Sequence, residues 1–160
     1  MITLYKLFDW LELTFIGSTI RDSVWLFPVI ESFHLIGLAL LAGSVIIVDL
    51  RLLGLGLTQL SIQHVAQTCR RWFVFALLIM LSTGIPLFLS EAIKCYYNRF
   101  FWIKMGALTF AIIFTFTLRK KLTLHANETL VSNWKTKIVG ITSLCAWFTV
   151  AASGRWIGFY

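Results

Sequence analysis

The chain has 160 residues, of which 59% are apolar, 16% aromatic and only 13% charged, and its formal net charge is +7. Soluble domains carry about 25% charged residues, so this composition excludes a soluble globular enzyme, a disordered chain and a secreted disulfide scaffold. It predicts an all-α membrane protein with the lipid bilayer as its partner. The positive charge is not arranged as a soluble basic patch, so we expect no nucleic-acid partner.

The first predicted element is an amphipathic helix over residues 3–17. Apolar side chains recur there at helical spacing, with charged residues between them: Leu4, Leu7, Phe8, Leu11 and Phe15. The segment is too charged to cross a membrane. We therefore expect an interfacial helix that lies along the membrane surface or packs across one end of the helix bundle.

Four further stretches are long and apolar enough to cross a membrane, which takes about 20 residues. They cover residues 24–48, 72–90, 100–118 and 138–158. Together with the N-terminal helix they predict a four-transmembrane-helix bundle that forms a single transmembrane domain over residues 1–160. The connection 51–71 is amphipathic, and we expect it to lie at the membrane interface.

The loop charges predict the orientation. Lys and Arg residues are more frequent in the first and third connections than on the opposite side, above all when Lys104 and Arg155, which fall inside predicted spans, are left out. Such an excess marks the cytoplasmic side. The sequence therefore predicts a multi-pass protein of the bacterial inner membrane with both termini in the periplasm.

A predicted polar cluster occupies the outer half of the bundle. Its members are Glu31, His34, Glu91, Lys104 and Arg155. An ionisable group inside a membrane costs about 2.5–3.5 kcal/mol on insertion scales, so we expect each of these side chains to be paired or to serve a function. Two hypotheses stay open. Either interhelical ion pairs join the acidic to the basic members and fix the packing, or a polar pocket with His34 at its base holds a quinone head group, an ion or a small ligand.

His34 is the strongest single candidate for a functional residue. It could be a hydrogen-bonded core histidine, a proton-handling group or an axial ligand of haem b. The predicted spans contain no second histidine, so a haem would need Met80 or Met105 as its other ligand. Methionines at helical positions more often serve packing.

Asp49 and Arg51 are predicted as a pair at the cytoplasmic end of the first span, where they anchor the interface or pair with Arg70 or Arg71. No metal site is predicted, because the three cysteines lack metal-type spacing. No catalytic residue is predicted either, since the sequence contains no P-loop, zinc-protease motif or nucleophile elbow.

Three stretches carry a resemblance that covers nearly the whole chain. They are residues 31–56 (ESFHLIGLALLAGSVIIVDLRLLGLG), 82–105 (STGIPLFLSEAIKCYYNRFFWIKM) and 143–159 (SLCAWFTVAASGRWIGF). Together they resemble an uncharacterised family of bacterial four-helix inner-membrane proteins, a domain of unknown function. The resemblance implies the architecture but no reaction. It also implies an Asn and a His near the end of the third span, where this chain has Thr115, Thr117 and Arg119.

The sequence thus predicts a non-catalytic membrane subunit or binding module that is accessory to a larger membrane or respiratory assembly. Its partners would be other membrane subunits or a second copy of the chain. One alternative is a small redox protein that binds haem b or quinone through His34. A further alternative is a proton- or ion-coupled carrier that uses Glu31.

Overall fold

A computed structural model describes residues 2–125 and 133–159, and every regular element in these ranges is a helix. In chain order the α-helices are α1 (Ile2–Glu12), α2 (Phe15–Asp22), α3 (Leu26–Leu53), α4 (Ile62–Ser90), α5 (Ala92–Tyr97), α6 (Arg99–Phe114), α7 (Lys120–His125) and α8 (Trp134–Ile157). A π-helical turn, Thr115–Arg119, joins α6 to α7. The predicted all-α class is confirmed.

Four helical segments are long and apolar enough to cross a membrane: α3, α4, Arg99–Thr123 and α8. We call Arg99–Thr123 the third span. α3 packs against α4 and α8, and α6 packs against α8, so the four segments form a bundle. Its main core lies at mid-height, where the Trp147 ring meets the Phe73 ring edge-on with the ring centroids 5.5 Å apart. The predicted four-helix membrane bundle is confirmed.

The second span begins earlier than the predicted residue 72. α4 starts at Ile62, and the Ser61 hydroxyl caps it by accepting a hydrogen bond from the His64 backbone N–H at 3.2 Å. Such a cap satisfies a backbone N–H that has no partner within the helix. The amphipathic part of the predicted connector is therefore the first turns of α4, and the loop between α3 and α4 is short.

The N-terminal segment is two helices rather than one helix over 3–17. Thr14 has an extended backbone, and its hydroxyl accepts a hydrogen bond from the Gly17 N–H at 3.4 Å, so a new helix begins there. α1 buries Phe8 among aromatic rings that include Phe88 of α4 and Phe101 of α6. α1 and α2 thus pack across one end of the bundle.

We name the two ends of the bundle by one residue each. At the Asp49 end, α3 and the third span end and α4 and α8 begin. At the Glu91 end, α4 ends against α5, and α1 and α2 cover the helices. His34 and Lys104 lie toward the Glu91 end, and the two sites described next lie at opposite ends of the bundle.

Candidate functional site

His34 of α3 is held by a hydrogen bond to α4. Its Nδ1 lies 2.8 Å from the Thr83 hydroxyl oxygen, and that hydroxyl lies 2.6 Å from the Ile79 carbonyl oxygen. A hydroxyl has one proton to donate. Because the Thr83 hydroxyl donates to Ile79, it accepts from His34, which assigns the imidazole proton to Nδ1. The other ring nitrogen, Nε2, then carries a lone pair in neutral His34 and can accept a hydrogen bond.

Close helix packing surrounds this histidine. A Cβ at Gly84 would lie 3.2 Å from the His34 ring, so a glycine makes room for the imidazole. One turn further along α3, a Cβ at Gly37 would lie 2.8 Å from Ile79 and 3.5 Å from the Met80 Cγ. α3 and α4 are therefore in direct contact along the face that holds His34.

Lys104 of α6 is the second polar group of this site. Its side chain is half-buried, and it interacts electrostatically with His34. Gly154 of α8 gives it space, since a Cβ there would lie 3.4 Å from the ammonium nitrogen. Within the described ranges no carboxylate forms an ion pair with Lys104.

The Cys95 thiol is close enough to Lys104 for an electrostatic interaction. It does not neutralise the ammonium, because burial, reinforced by the nearby Glu91 carboxylate, raises the pKa of Cys95 to about 11. The thiol is therefore uncharged near neutral pH. Lys104 remains a cation without an anionic partner among the residues that the structure describes.

The interhelical ion pairs predicted for the polar cluster are wrong. Glu31 is exposed on α3, and Glu91 pairs with Lys94 of α5 at 3.4 Å. Arg155 is exposed, and its guanidinium lies 4.9 Å from the centre of the Phe159 ring. Residue spacing gave the height of each group in the bundle but not the rotation of its helix. Of the predicted cluster, His34 and Lys104 are close enough to interact electrostatically.

The predicted haem ligands occupy packing positions. Met80 packs against the main core and lies beside Gly37 of α3, where a Cβ would be 3.5 Å from the Met80 Cγ. Met105 packs with the cluster around Phe8 and Cys95 instead. In the described part of the chain, no group of three or more His, Cys, Asp or Glu side chains could hold a metal ion.

The second site is a buried ion pair that the sequence did not predict. The Asp49 carboxylate of α3 lies 2.9 Å from Arg119 of the third span, and their side chains are 0% and 7% exposed. Arg119 also donates to the Val45 carbonyl at 3.3 Å. The pair joins two membrane-spanning helices at the Asp49 end.

The predicted Asp49–Arg51 pair is therefore corrected, as is pairing with Arg70 or Arg71. Arg51 is fully buried, and its Nε donates to the Leu60 carbonyl at 2.8 Å, so it fixes the loop between α3 and α4. The predicted third span ends at residue 118, which places Arg119 in the connection that follows it. The π-helical turn, with its i→i+5 hydrogen bonding, shifts the helix register there, and Arg119 is buried.

α8 completes the surroundings of this ion pair. The buried Ser143 hydroxyl faces the Asp49 carboxylate, and a Cβ at Gly140 would lie 3.2 Å from the Asp49 backbone carbonyl. Among the described residues, the Arg119 Nε is buried without a hydrogen-bond partner. A cavity of about 70 Å³ lies beside this guanidinium, between α4 and the third span.

The chain belongs to a family of unknown function (DUF6644), which matches residues 7–160. No curated protein and no solved structure matches it. The family agrees with the resemblance drawn from the sequence. It assigns no reaction.

Proposed function

We propose that this family member is a membrane-embedded binding module, a non-catalytic subunit of a larger membrane or respiratory assembly. Its partners are other membrane subunits or a second copy of the chain. The observation that supports the binding role is Lys104, a half-buried cation inside a predicted span with no ion-pair partner in the described ranges. A charge at such a position is costly and is often retained for function.

The ligand class follows from the hydrogen-bonding capacities of the two side chains. The Lys104 ammonium can only donate, whereas the His34 Nε2 can accept, because Nδ1 is engaged with Thr83. A ligand that presents an acceptor oxygen and a hydroxyl on an apolar ring satisfies both. A quinol has this chemistry, because each of its hydroxyls can both accept and donate a hydrogen bond. The oxidised quinone has only acceptor oxygens and can bind Lys104 alone, and in both forms the apolar tail remains in lipid. The redox alternative is therefore retained in its quinone form and not in its haem form.

The binding role predicts saturable quinone binding that depends on Lys104. Protein in lipid nanodiscs is titrated with decylubiquinone, and quenching of tryptophan fluorescence is followed. We expect Lys104→Met to weaken binding by about 10- to 100-fold, because a hydrogen bond to a charged group contributes roughly 1.5–3 kcal/mol. Lys94→Met is the matched control, since Lys94 is an exposed lysine paired with Glu91. Non-saturable quenching, or equal binding by both variants, contradicts the proposal.

We also propose that the chain lies in a bacterial inner membrane with the Asp49 end in the cytoplasm and both termini in the periplasm. In support, exposed Lys and Arg side chains are slightly more numerous at that end than at the Glu91 end. They are Arg70, Arg71, Lys120, Lys121, Lys135 and Lys137 against Lys6, Arg21, Lys94, Arg99 and Arg155.

Cysteine labelling tests the orientation. In a variant without native cysteines, Lys121→Cys should react with a membrane-impermeant maleimide only after the inner membrane is opened. Lys94→Cys, at the other end, should react in intact spheroplasts, because both side chains are exposed. The reverse pattern would place the Asp49 end in the periplasm.

A further inference from the structure

The cavity at the Asp49 end is distinct from the site of His34 and Lys104. It lies between α4 and the π-helical turn, and its volume is about 70 Å³. The polar residues that line it include Cys69, Arg70, Thr115, Arg119, Lys120 and Thr123. A water molecule occupies about 30 Å³ of liquid. The space therefore accepts a small polar group, and the rest of a larger ligand must lie outside.

Two buried donors point to an anion in this cavity. The Arg119 residue is only 6% exposed, and its Nε has no hydrogen-bond partner within the described ranges. The Thr115 hydroxyl accepts from the Trp147 indole N–H at 3.2 Å, so its own proton remains available. A buried donor without a partner is unfavourable, and an oxygen acceptor in the cavity would satisfy both donors.

The opening of the cavity adds positive charge. Arg70 of α4 and Lys120 of α7 line it from opposite helices, and both side chains are exposed. Asp49 is already paired with Arg119. Within the described ranges neither Arg70 nor Lys120 pairs with a carboxylate, so both remain as cations at the opening. The Phe116 ring beside them is 39% exposed.

We infer that this cavity binds the phosphate group of an anionic phospholipid. The phosphate oxygens accept from the Arg119 Nε and the Thr115 hydroxyl, and Arg70 and Lys120 neutralise the negative charge. The apolar part of the lipid lies along Phe116 at the outside of the bundle. Basic pockets between membrane helices are a recurrent way to hold anionic head groups. Inorganic phosphate shares the same oxyanion chemistry and is distinguished by experiment.

Native mass spectrometry of the detergent-purified full chain measures the preference for phosphatidylglycerol over phosphatidylcholine. The test variant is Arg70→Gln combined with Lys120→Gln, which leaves the buried Arg119–Asp49 pair in place. We expect the preference to fall about 30-fold, because each cation near an anionic surface contributes roughly a fivefold factor. Arg71→Gln is the matched control: it removes an exposed arginine of α4 that does not line the cavity, and it should keep the preference.

Competition with inorganic phosphate distinguishes a lipid phosphate group from free phosphate as the bound anion. If phosphate displaces phosphatidylglycerol from the wild type but not from the double variant, the result supports an oxyanion site that the lipid occupies. Phosphate binding without any preference between the two lipids overturns the lipid assignment in favour of the free ion. Equal retention of both lipids with no phosphate binding overturns the site, as does an equal loss in Arg71→Gln.

Discussion

Replacing Asp49 by Ala is expected to lower the free energy of unfolding by about 3–5 kcal/mol, because removing one partner of a buried ion pair leaves the other charge uncompensated. Arg119 would keep only the Val45 carbonyl among its observed partners, with its guanidinium still buried between helices. The measurement is reversible unfolding in mixed detergent micelles, followed by circular dichroism. Asp22→Ala serves as the control, since Asp22 is exposed on α2.

The double variant Asp49→Leu with Arg119→Leu separates charge from packing. Apolar residues of similar volume often replace a buried ion pair at little cost. We therefore expect the double variant to recover most of the stability that Asp49→Ala loses. If Asp49→Ala is no worse than Asp22→Ala, the ion pair does not hold the bundle together at this end.

The second large effect is expected at Gly17 of α2. A Cβ there would lie 2.6 Å from the Leu89 carbonyl oxygen and 2.8 Å from the Glu12 carbonyl oxygen. Both are backbone atoms, so the clash cannot be relieved by a side-chain rotation. Gly17→Ala should therefore displace α2 from α4 and cost about 1–3 kcal/mol of the free energy of unfolding, the usual range for overpacking.

Gly43→Ala is the matched control, because a Cβ at Gly43 would meet nothing within 4 Å. Alanine stabilises a helix interior by up to about 1 kcal/mol relative to glycine. The Gly43→Ala variant should therefore unfold at the same concentration of denaturing detergent as the wild type, or at a higher one. Equal stability of Gly17→Ala and the wild type would mean that α2 does not dock on α4 as the structure has it.

The four-helix architecture could be predicted from the sequence because its signal is a sum over many residues. A continuous apolar stretch of about 20 residues fixes a membrane span whatever its neighbours are. The ends of elements depend on single side chains and were predicted less well. Thr14 starts a new helix and Ser61 starts α4 early, and each does so through one hydroxyl.

The candidate sites depend on helix rotation, which spacing along one chain does not determine. Glu31 and Arg155 have the predicted heights but are exposed, whereas His34 and Lys104 are close enough to interact electrostatically. Arg119 is the last residue of a π-helical turn that no residue pattern predicts, so its burial beside Asp49 was missed. Composition could indicate that some charges lie inside the bundle, but only packing shows which ones pair.

We propose that Lys104 and His34 hold a quinone-class ligand inside the membrane bundle, and organic extraction with mass spectrometry of the protein purified from its own membrane in mild detergent tests this claim. We predict about one quinone per chain in the wild type and in Lys94→Met, and less than roughly a tenth of that in Lys104→Met, because the charged hydrogen bond is lost. A folded wild-type protein that carries no more quinone than Lys104→Met would contradict the claim.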